Sequence, residues 1–449
     1  MSFFRASRQR VLALTAALVL SVNPAFAQDA PSQILFANVN VFDGMSEQLI
    51  ENAKVLVEEN LIKSVSSQAI DVNGAEVIDG GGRTLMPGLI DAHVHLMWNV
   101  PLAALFTTPP DYLHALAIAE GEATLMRGYT TIRDISGSVF GIKRAFDEGF
   151  LTGPRIYGSG PGIGMTSGHV DFKHNTDQPR ILGGLAWGDT EHSGMAVIAD
   201  GVPEVLAAAR LSFRKGAHFL KTYTGGAVSG LYDPLDIAEY SYDEIKALVD
   251  EAERWNTYLA VHCYTDKAVR RSVEAGAMSI EHATIITEPT MKLLVEKGAY
   301  LSTQTGVYLQ EPAADWNEDQ KAKQLMAKNG LDNMMKLAKK CKAKIAIGTD
   351  LVGAPSEKAK QVYELTNRLQ WFTPFEILNQ ATVSNAELMS WSGPRNPYPG
   401  KLGVIEEGAY ADILLVNGNP LEDLALFNDP DQSLALIMKD GRIYKNTVK

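Results

Sequence analysis

The stretch GLIDAHVH, residues 88–95, closes an apolar run with two histidines two positions apart. In an extended strand, residues i and i+2 point to the same face. His93 and His95 therefore project side by side where the strand ends. Two of the chain's nine histidines placed in this way are either a coincidence or two ligands converging on one cation. The segments that follow bear on the choice, because they repeat the theme of a short apolar strand ending in a chemically competent side chain.

Those segments are YTTIRDIS (129–136), RIYGSG (155–160), HFLKTYT (218–224), YLAVHCY (258–264), SIEHAT (279–284), YLSTQT (300–305) and KIAIGTD (344–350). Helical patterns alternate with them. Residues 202–216 are amphipathic. Residues 241–256 open on Ser241 with Glu244 three positions on, a capping box. Residues 288–298 end on Gly298, a C-cap signal. Eight strand–helix units over residues 87–394 predict an α/β fold, a (β/α)8 TIM barrel. A doubly wound sheet is the competing arrangement, since periodicity does not report closure. Both ends of the chain read differently. ILFANVNVFDG (34–44) alternates like a half-buried strand, and short β-rich runs continue to residue 86. Near the other end, residues 402–418 and 433–446 are again β-rich, and Asp440-Gly441 is a hairpin signal. These features predict a small β-sandwich domain built from residues 28–86 and 395–449.

A chain of 449 residues, 46% of them apolar, can bury a large core. The formal net charge is −12, and it falls to −15 without the three arginines among the first 27 residues. That balance argues against nucleic acid or an anionic membrane as partner. Arg5, Arg8 and Arg10, the apolar run 11–22 and Ala25-Phe26-Ala27 have the form of a secretory signal peptide cleaved after Ala27. The expected location is therefore periplasmic or secreted. Cys263 and Cys341 are the only cysteines. They are expected as buried free thiols, although a bridge between them is compatible with the sequence.

Chemically competent residues recur at the predicted strand ends: His93 and His95 on the first, Lys221 on the fourth, His262 on the fifth, His282 on the sixth and Asp350 on the eighth. Each has an ordinary structural explanation alone. Lys221 suits a solvated strand end, His262 and His282 a satisfied core, and Asp350 a helix N-cap. In a barrel, however, all C-terminal strand ends share one rim, where active sites are built. The joint placement then favours a common centre.

The motifs PGLIDAHVH, FLKTYTGG, AVHCYT, SIEHA, AIGTD and LGVIEEGAYADILLV together resemble the metal-dependent amidohydrolase superfamily. Within it they resemble the imidazolonepropionase-related branch, which includes prolidase-like dipeptidases and ochratoxin-hydrolysing amidohydrolases. The resemblance implies two divalent metal ions, with zinc the natural choice. His93, His95 and Asp350 would hold the more buried ion, and His262 and His282 the more exposed one. Lys221, carrying a CO2-derived carbamate, would bridge them. Asp350 would also be the catalytic acid/base. A free lysine has a pKa of about 10.4. Carbamylation turns its neutral amine into a carboxylate-like group suited to two cations. Thr265 stands where related mononuclear deaminases carry a glutamate, three residues after the fifth-strand histidine. That departure favours an amide hydrolase.

Tyr223 and Tyr264 follow Lys221 and His262 by two positions, so alternation turns them inward as substrate-binding candidates. An aromatic plug in the barrel mouth is the equal alternative for both. His169, after the third strand, stands where relatives carry a substrate-binding histidine. His174 and His192 are expected at the surface of the long stretch 160–201, a lid or pocket wall. His218 should face the helices, and His114 should be exposed. Arg133 or Asp134 is expected in a structural salt bridge. The expected substrate is a small molecule with an amide bond and a free carboxylate: a dipeptide or N-acyl amino acid, ochratoxin A included. The expected assembly is a homo-oligomer. The alternatives are a cyclic-amide hydrolase or deaminase of the same superfamily, and a metal-free scaffold of the same fold.

Overall fold

The computed structural model describes residues 33–448 except 73, 106, 314 and 315. The expected signal segment lies outside the described residues. Eight parallel strands carry the middle of the chain: β1 (Leu89–Val94), β2 (Tyr129–Asp134), β3 (Arg155–Gly158), β4 (Leu220–Tyr223), β5 (Leu259–Thr265), β6 (Ser279–Ile285), β7 (Tyr300–Thr303) and β8 (Lys344–Ile347). Every residue of β1, β2, β3, β4 and β7 is buried. This explains their near-continuous apolar character, since parallel strands are covered on both faces.

β1, β2 and β3 form one parallel sheet. β4 to β8 pair in chain order within a second, which continues past β4 through Gly162–Gly164 and Ala196–Ile198. Two seams connect these sheets. The His218 N–H, before β4, donates to the Gly158 carbonyl of β3 at 2.9 Å. The Asp350 N–H, after β8, donates to the His93 carbonyl of β1 at 2.8 Å. The two short strands lie inside the stretch read from sequence as lid or pocket wall. Glycine-rich GIG, with no alternation to display, gave no strand signal.

The helices follow the sequence pattern closely. Val202–Lys215 ends at Gly216 with φ +107°, a left-handed stop that glycine adopts without strain. Tyr242–Arg254 begins at the expected box, Ser241 Oγ accepting from the Glu244 N–H while the Glu244 carboxylate accepts from the Ser241 N–H. Buried Ile245, Leu248, Val249 and Ala252 form its inner stripe.

The two ends of the chain meet in an eight-stranded sheet of mixed direction. Its order runs Arg442–Asn446, Leu434–Lys439, Ile413–Val416, Thr84–Pro87, Gln33–Val41, Ile50–Glu58, Leu61–Ser66, with Glu76–Asp79 paired to Gln33–Val41. Ile413–Val416 lies antiparallel to Thr84–Pro87 and joins the ends. The Asp440-Gly441 turn has φ +54° and +71°, as a two-residue hairpin requires. Phe36, Val39 and Val55 pack with Ile413, Leu415 and Met438 in one apolar cluster. Arg155 ties this sheet to the central strands: buried between Tyr398 and Tyr410, it donates to Asp412 at 3.0 and 3.3 Å and to Asp440 at 2.7 Å.

Among the described residues, no helix is long and apolar enough to cross a membrane. Cys263 is a buried free thiol, as expected; Cys341 is free but only half-buried. It closes the helix Glu318–Cys341, just before the left-handed cap at Lys342.

Candidate functional site

β1 carries His93 and His95 to the C-terminal edge of the parallel strands. Their Nε2 atoms lie 3.2 and 3.0 Å from one oxygen of Asp350, Oδ1. Asp350 turns toward them through a left-handed backbone, φ +55°. One ligand atom from each of these three residues falls within 4.8 Å of the others. The His282 ring stands 5.2 Å from His93 and 4.4 Å from His262. Its Nδ1 lies 3.9 Å from Asp350 Oδ2. Lys221 and His262 line the same cavity, brought there by pairing of β4 with β5. Lys221 Nζ and His262 Nε2 are both buried and have no hydrogen-bond partner among the described residues. Six residues spread over 258 positions of sequence thus converge on one cavity.

The electrostatics are those of a crowded, dry pocket. Burial lowers the Lys221 ammonium to a pKa of about 8, against the pull of Glu281 and Asp350. Burial, and then the neighbouring histidines, hold His262 well below the ordinary imidazole range. Burial brings His95 to about 4. Burial alone would raise the Asp350 carboxyl, but His93 and His95 hold it well below the carboxylate range. The pocket therefore favours neutral imidazoles at His95, His262 and His282, an ionised carboxylate and an amine with a weakened hold on its proton. At His93, by contrast, burial is outweighed by the carboxylates of Asp350 and Glu281, which raise the imidazole above its ordinary range. Neutral imidazoles and an ionised carboxylate are the forms that ligate metals.

Three further groups had no distinct signal in the sequence. Glu281 Oε2 lies 2.9 Å from His93 Nδ1, and its Oε1 accepts from Arg133 at 2.8 Å and from Ser279 Oγ at 2.6 Å. Gln304 also reaches His93 Nδ1, at 3.1 Å. Tyr308 Oη lies 2.8 Å from His282 Nδ1. Such outer partners fix the tautomer and angle of a ligating imidazole. Glu281 adjoins His282 in sequence, so strict alternation would set them on opposite faces. Positive φ at His282 (+71°) and Ala283 (+53°) breaks the alternation, and both side chains reach the interior.

The substrate-binding candidates also gather here. His169 stacks on His262 at 4.5 Å, and its Nδ1 faces Asp233 at 3.8 Å. Tyr223 packs 5.1 Å from His169. Tyr264 stacks on His282 at 5.0 Å, and its hydroxyl meets Tyr308 at 2.9 Å. The inner cavity that these residues line holds about 100 Å3. Beyond it lies a larger chamber of about 780 Å3, and Leu102 and Trp316 belong to both walls. His174 and His192 are exposed, as expected. His218 is buried between Phe140 and Tyr157, away from the cavity. His114 is only half-buried, with Nδ1 against the Pro110 carbonyl. Arg133 forms the expected structural pair, with Glu281.

Known proteins share this architecture. An ochratoxinase of Aspergillus niger is 31% identical over 441 residues, spanning 94% of this chain and 88% of its own. A solved amidohydrolase superposes with a TM-score of 0.85 at 32% identity, covering 93% of this chain and all of that one. A prolidase solved with N-methylphosphonate-L-proline gives 0.85 at 31%, covering 92% and 100%. The sequence profile of the amidohydrolase family matches residues 84–444, and with that match over most of its length the chain belongs to the amidohydrolase family.

Proposed function

We propose that this chain is a metal-dependent hydrolase that cleaves the amide bond to a C-terminal amino acid in dipeptides or N-acyl amino acids. The observation that carries the reading is the convergence of His93, His95, Lys221, His262, His282 and Asp350 on one cavity, with three of their nitrogen atoms, His95 Nδ1, Lys221 Nζ and His262 Nε2, buried and unpartnered among the described residues. An unpaired buried nitrogen costs about 1–3 kcal/mol, so several of them on one set of residues suit a group that binds cations. The donor set fits divalent cations, zinc first among them. In this reading His93, His95 and Asp350 would hold one ion and His262 and His282 a second, and a carbamate on Lys221 would supply the anionic ligand they share. When bound, such ions polarise the scissile carbonyl and lower the pKa of water to about 7.

The chain's own groups do the rest. Asp350, kept ionised by His93 and His95, takes the proton of the attacking water and hands it to the leaving amine. Glu281 and Tyr308 hold the imidazoles of His93 and His282 in place. His169, Tyr223 and Tyr264 line the space for the substrate, and their bulk excludes water. The prolidase with a bound proline phosphonate and the ochratoxinase support this substrate class, ochratoxin A included. In the same reading, β1 to β8 close as a (β/α)8 barrel, which the two seams support. The shared apolar cluster supports a β-sandwich built from the two ends. Residues 1–27 direct the protein to the periplasm or outside the cell, where it works as a homo-oligomer.

A hydrolysis screen with zinc supplied tests the reading. It would use Xaa-Pro dipeptides, N-acyl phenylalanines and leucines, and ochratoxin A, read by released amino acid. Metal should bind in stoichiometric amount, and a chelator should abolish turnover. A protein that holds no metal and hydrolyses none of these compounds would be a scaffold. Lys221→Ala should lose at least one of the two ions per chain; an unchanged metal count would reject the bridging role.

A further inference from the structure

The outer chamber has no part in the chemistry described above, yet it has several times the volume of the inner cavity, about 780 against 100 Å3. The inner space is smaller than the roughly 300 Å3 and upward of ordinary ligand pockets, so part of a bulky N-acyl amino acid lies outside it. Any further bulk on the substrate must pass Leu102 and Trp316, the residues shared by both walls. Beyond them the walls carry Phe172, Leu185, Leu231 and Tyr232. Leu185 is 78% exposed and Leu231 52% exposed. Large apolar side chains left this open beside a catalytic cavity gain contact when an apolar group enters.

Charge decides which end of the substrate points outward. The outer walls carry Asp177 and Asp189 against Lys173, and Lys173 is already paired with Glu191 at 3.3 Å. This surface repels a free carboxylate. The inner cavity, with the cations of the proposed reading, attracts one. The carboxylate-bearing amino acid therefore stays inside, and the acyl arm points out.

Resting on that reading, we infer that the outer chamber is an acyl-binding site, which makes this enzyme selective for amino acids bearing a long-chain or polycyclic aromatic acyl group over N-acetyl compounds and small dipeptides. Each methylene that leaves water for such a wall should raise kcat/KM by about threefold to fourfold until the chamber is filled.

The test compares N-acetyl-, N-octanoyl- and N-(2-naphthoyl)-L-phenylalanine. In the parent enzyme kcat/KM should rise at least tenfold from acetyl to octanoyl or naphthoyl. Leu185→Asp and Leu231→Asp, at exposed positions that the fold does not need, should each cut the octanoyl-to-acetyl ratio at least fivefold. A flat series, or a ratio that neither variant alters, would overturn the inference. Calorimetric binding of N-ethyl- and N-octyl-L-phenylalanine, which have no scissile carbonyl, separates the two claims. If nothing is hydrolysed but the octyl compound binds tenfold tighter and the variants erase that gain, the hydrolase reading fails and the acyl site stands. Equal binding of both compounds removes the acyl site.

Discussion

Arg133 is wholly buried, and its counter-charge among the described residues is Glu281, also wholly buried. Burial alone would raise the Glu281 carboxyl, but Arg133 and His93 hold it well below the carboxylate range. The same carboxylate steadies His93 through its second oxygen, so fold and site lean on one residue. Glu281→Ala should cost about 3–5 kcal/mol, the usual result of stranding a buried charge, and chemical denaturation would measure it. Metal occupancy should fall with it. His218 makes a different prediction. Burial lowers its pKa to about 3, and its ring nitrogen accepts from the Gly158 N–H. The unfolded value is about 6.5. Below that pH the unfolded chain takes up a proton that the folded chain refuses. Stability that is complete above pH 6.5 is therefore lost as the pH falls toward 3, at about 1.4 kcal/mol per pH unit. His218→Asn keeps an acceptor and removes the titration. Its stability between pH 6.5 and 5 should decline less steeply than the parent's, by about one proton.

The hairpin between Leu434–Lys439 and Arg442–Asn446 turns on Gly441, at φ +71°. A Cβ there would sit 1.9 Å from the Glu59 carbonyl oxygen. Gly441→Ala should therefore destabilise the protein by more than the roughly 1–2 kcal/mol that a left-handed backbone alone imposes, measurable as a lower unfolding midpoint. This turn was readable from Asp440-Gly441 alone, because its chemistry is local. The same holds for the Ser241–Glu244 box and for His93 and His95, whose period of two is visible in the chain. The family motifs added Lys221, His262, His282 and Asp350 as a set, and the cavity contains all four. Glu281 was hidden because its direction depends on left-handed residues immediately after it. Gly162–Gly164 and Ala196–Ile198 were hidden because three residues carry no period. The pairing of Ile413–Val416 with Thr84–Pro87 was beyond any local signal, since it depends on partners far apart along the chain.

At the scale of the molecule, the candidate ligands come from β1, β4, β5, β6 and the segment after β8, so whatever they hold clamps most of the central strands together. A ligand bound only by the folded state adds about 4 kcal/mol when present at a thousand times its Kd. Chelation should therefore lower the melting temperature of the whole protein cooperatively, and restored zinc should recover it; an unchanged melting temperature would show that the site is empty or uncoupled from the fold. Synthesis adds a constraint of its own. Thr84–Pro87 leaves the ribosome about 325 residues before Ile413–Val416, its neighbour in the sheet. At ~5–20 residues per second, that strand's edge waits roughly 15–65 s for its mate. During that interval the nascent chain presents an open β-edge, and folding helpers that shield such edges should govern the yield of this protein more than its final stability does.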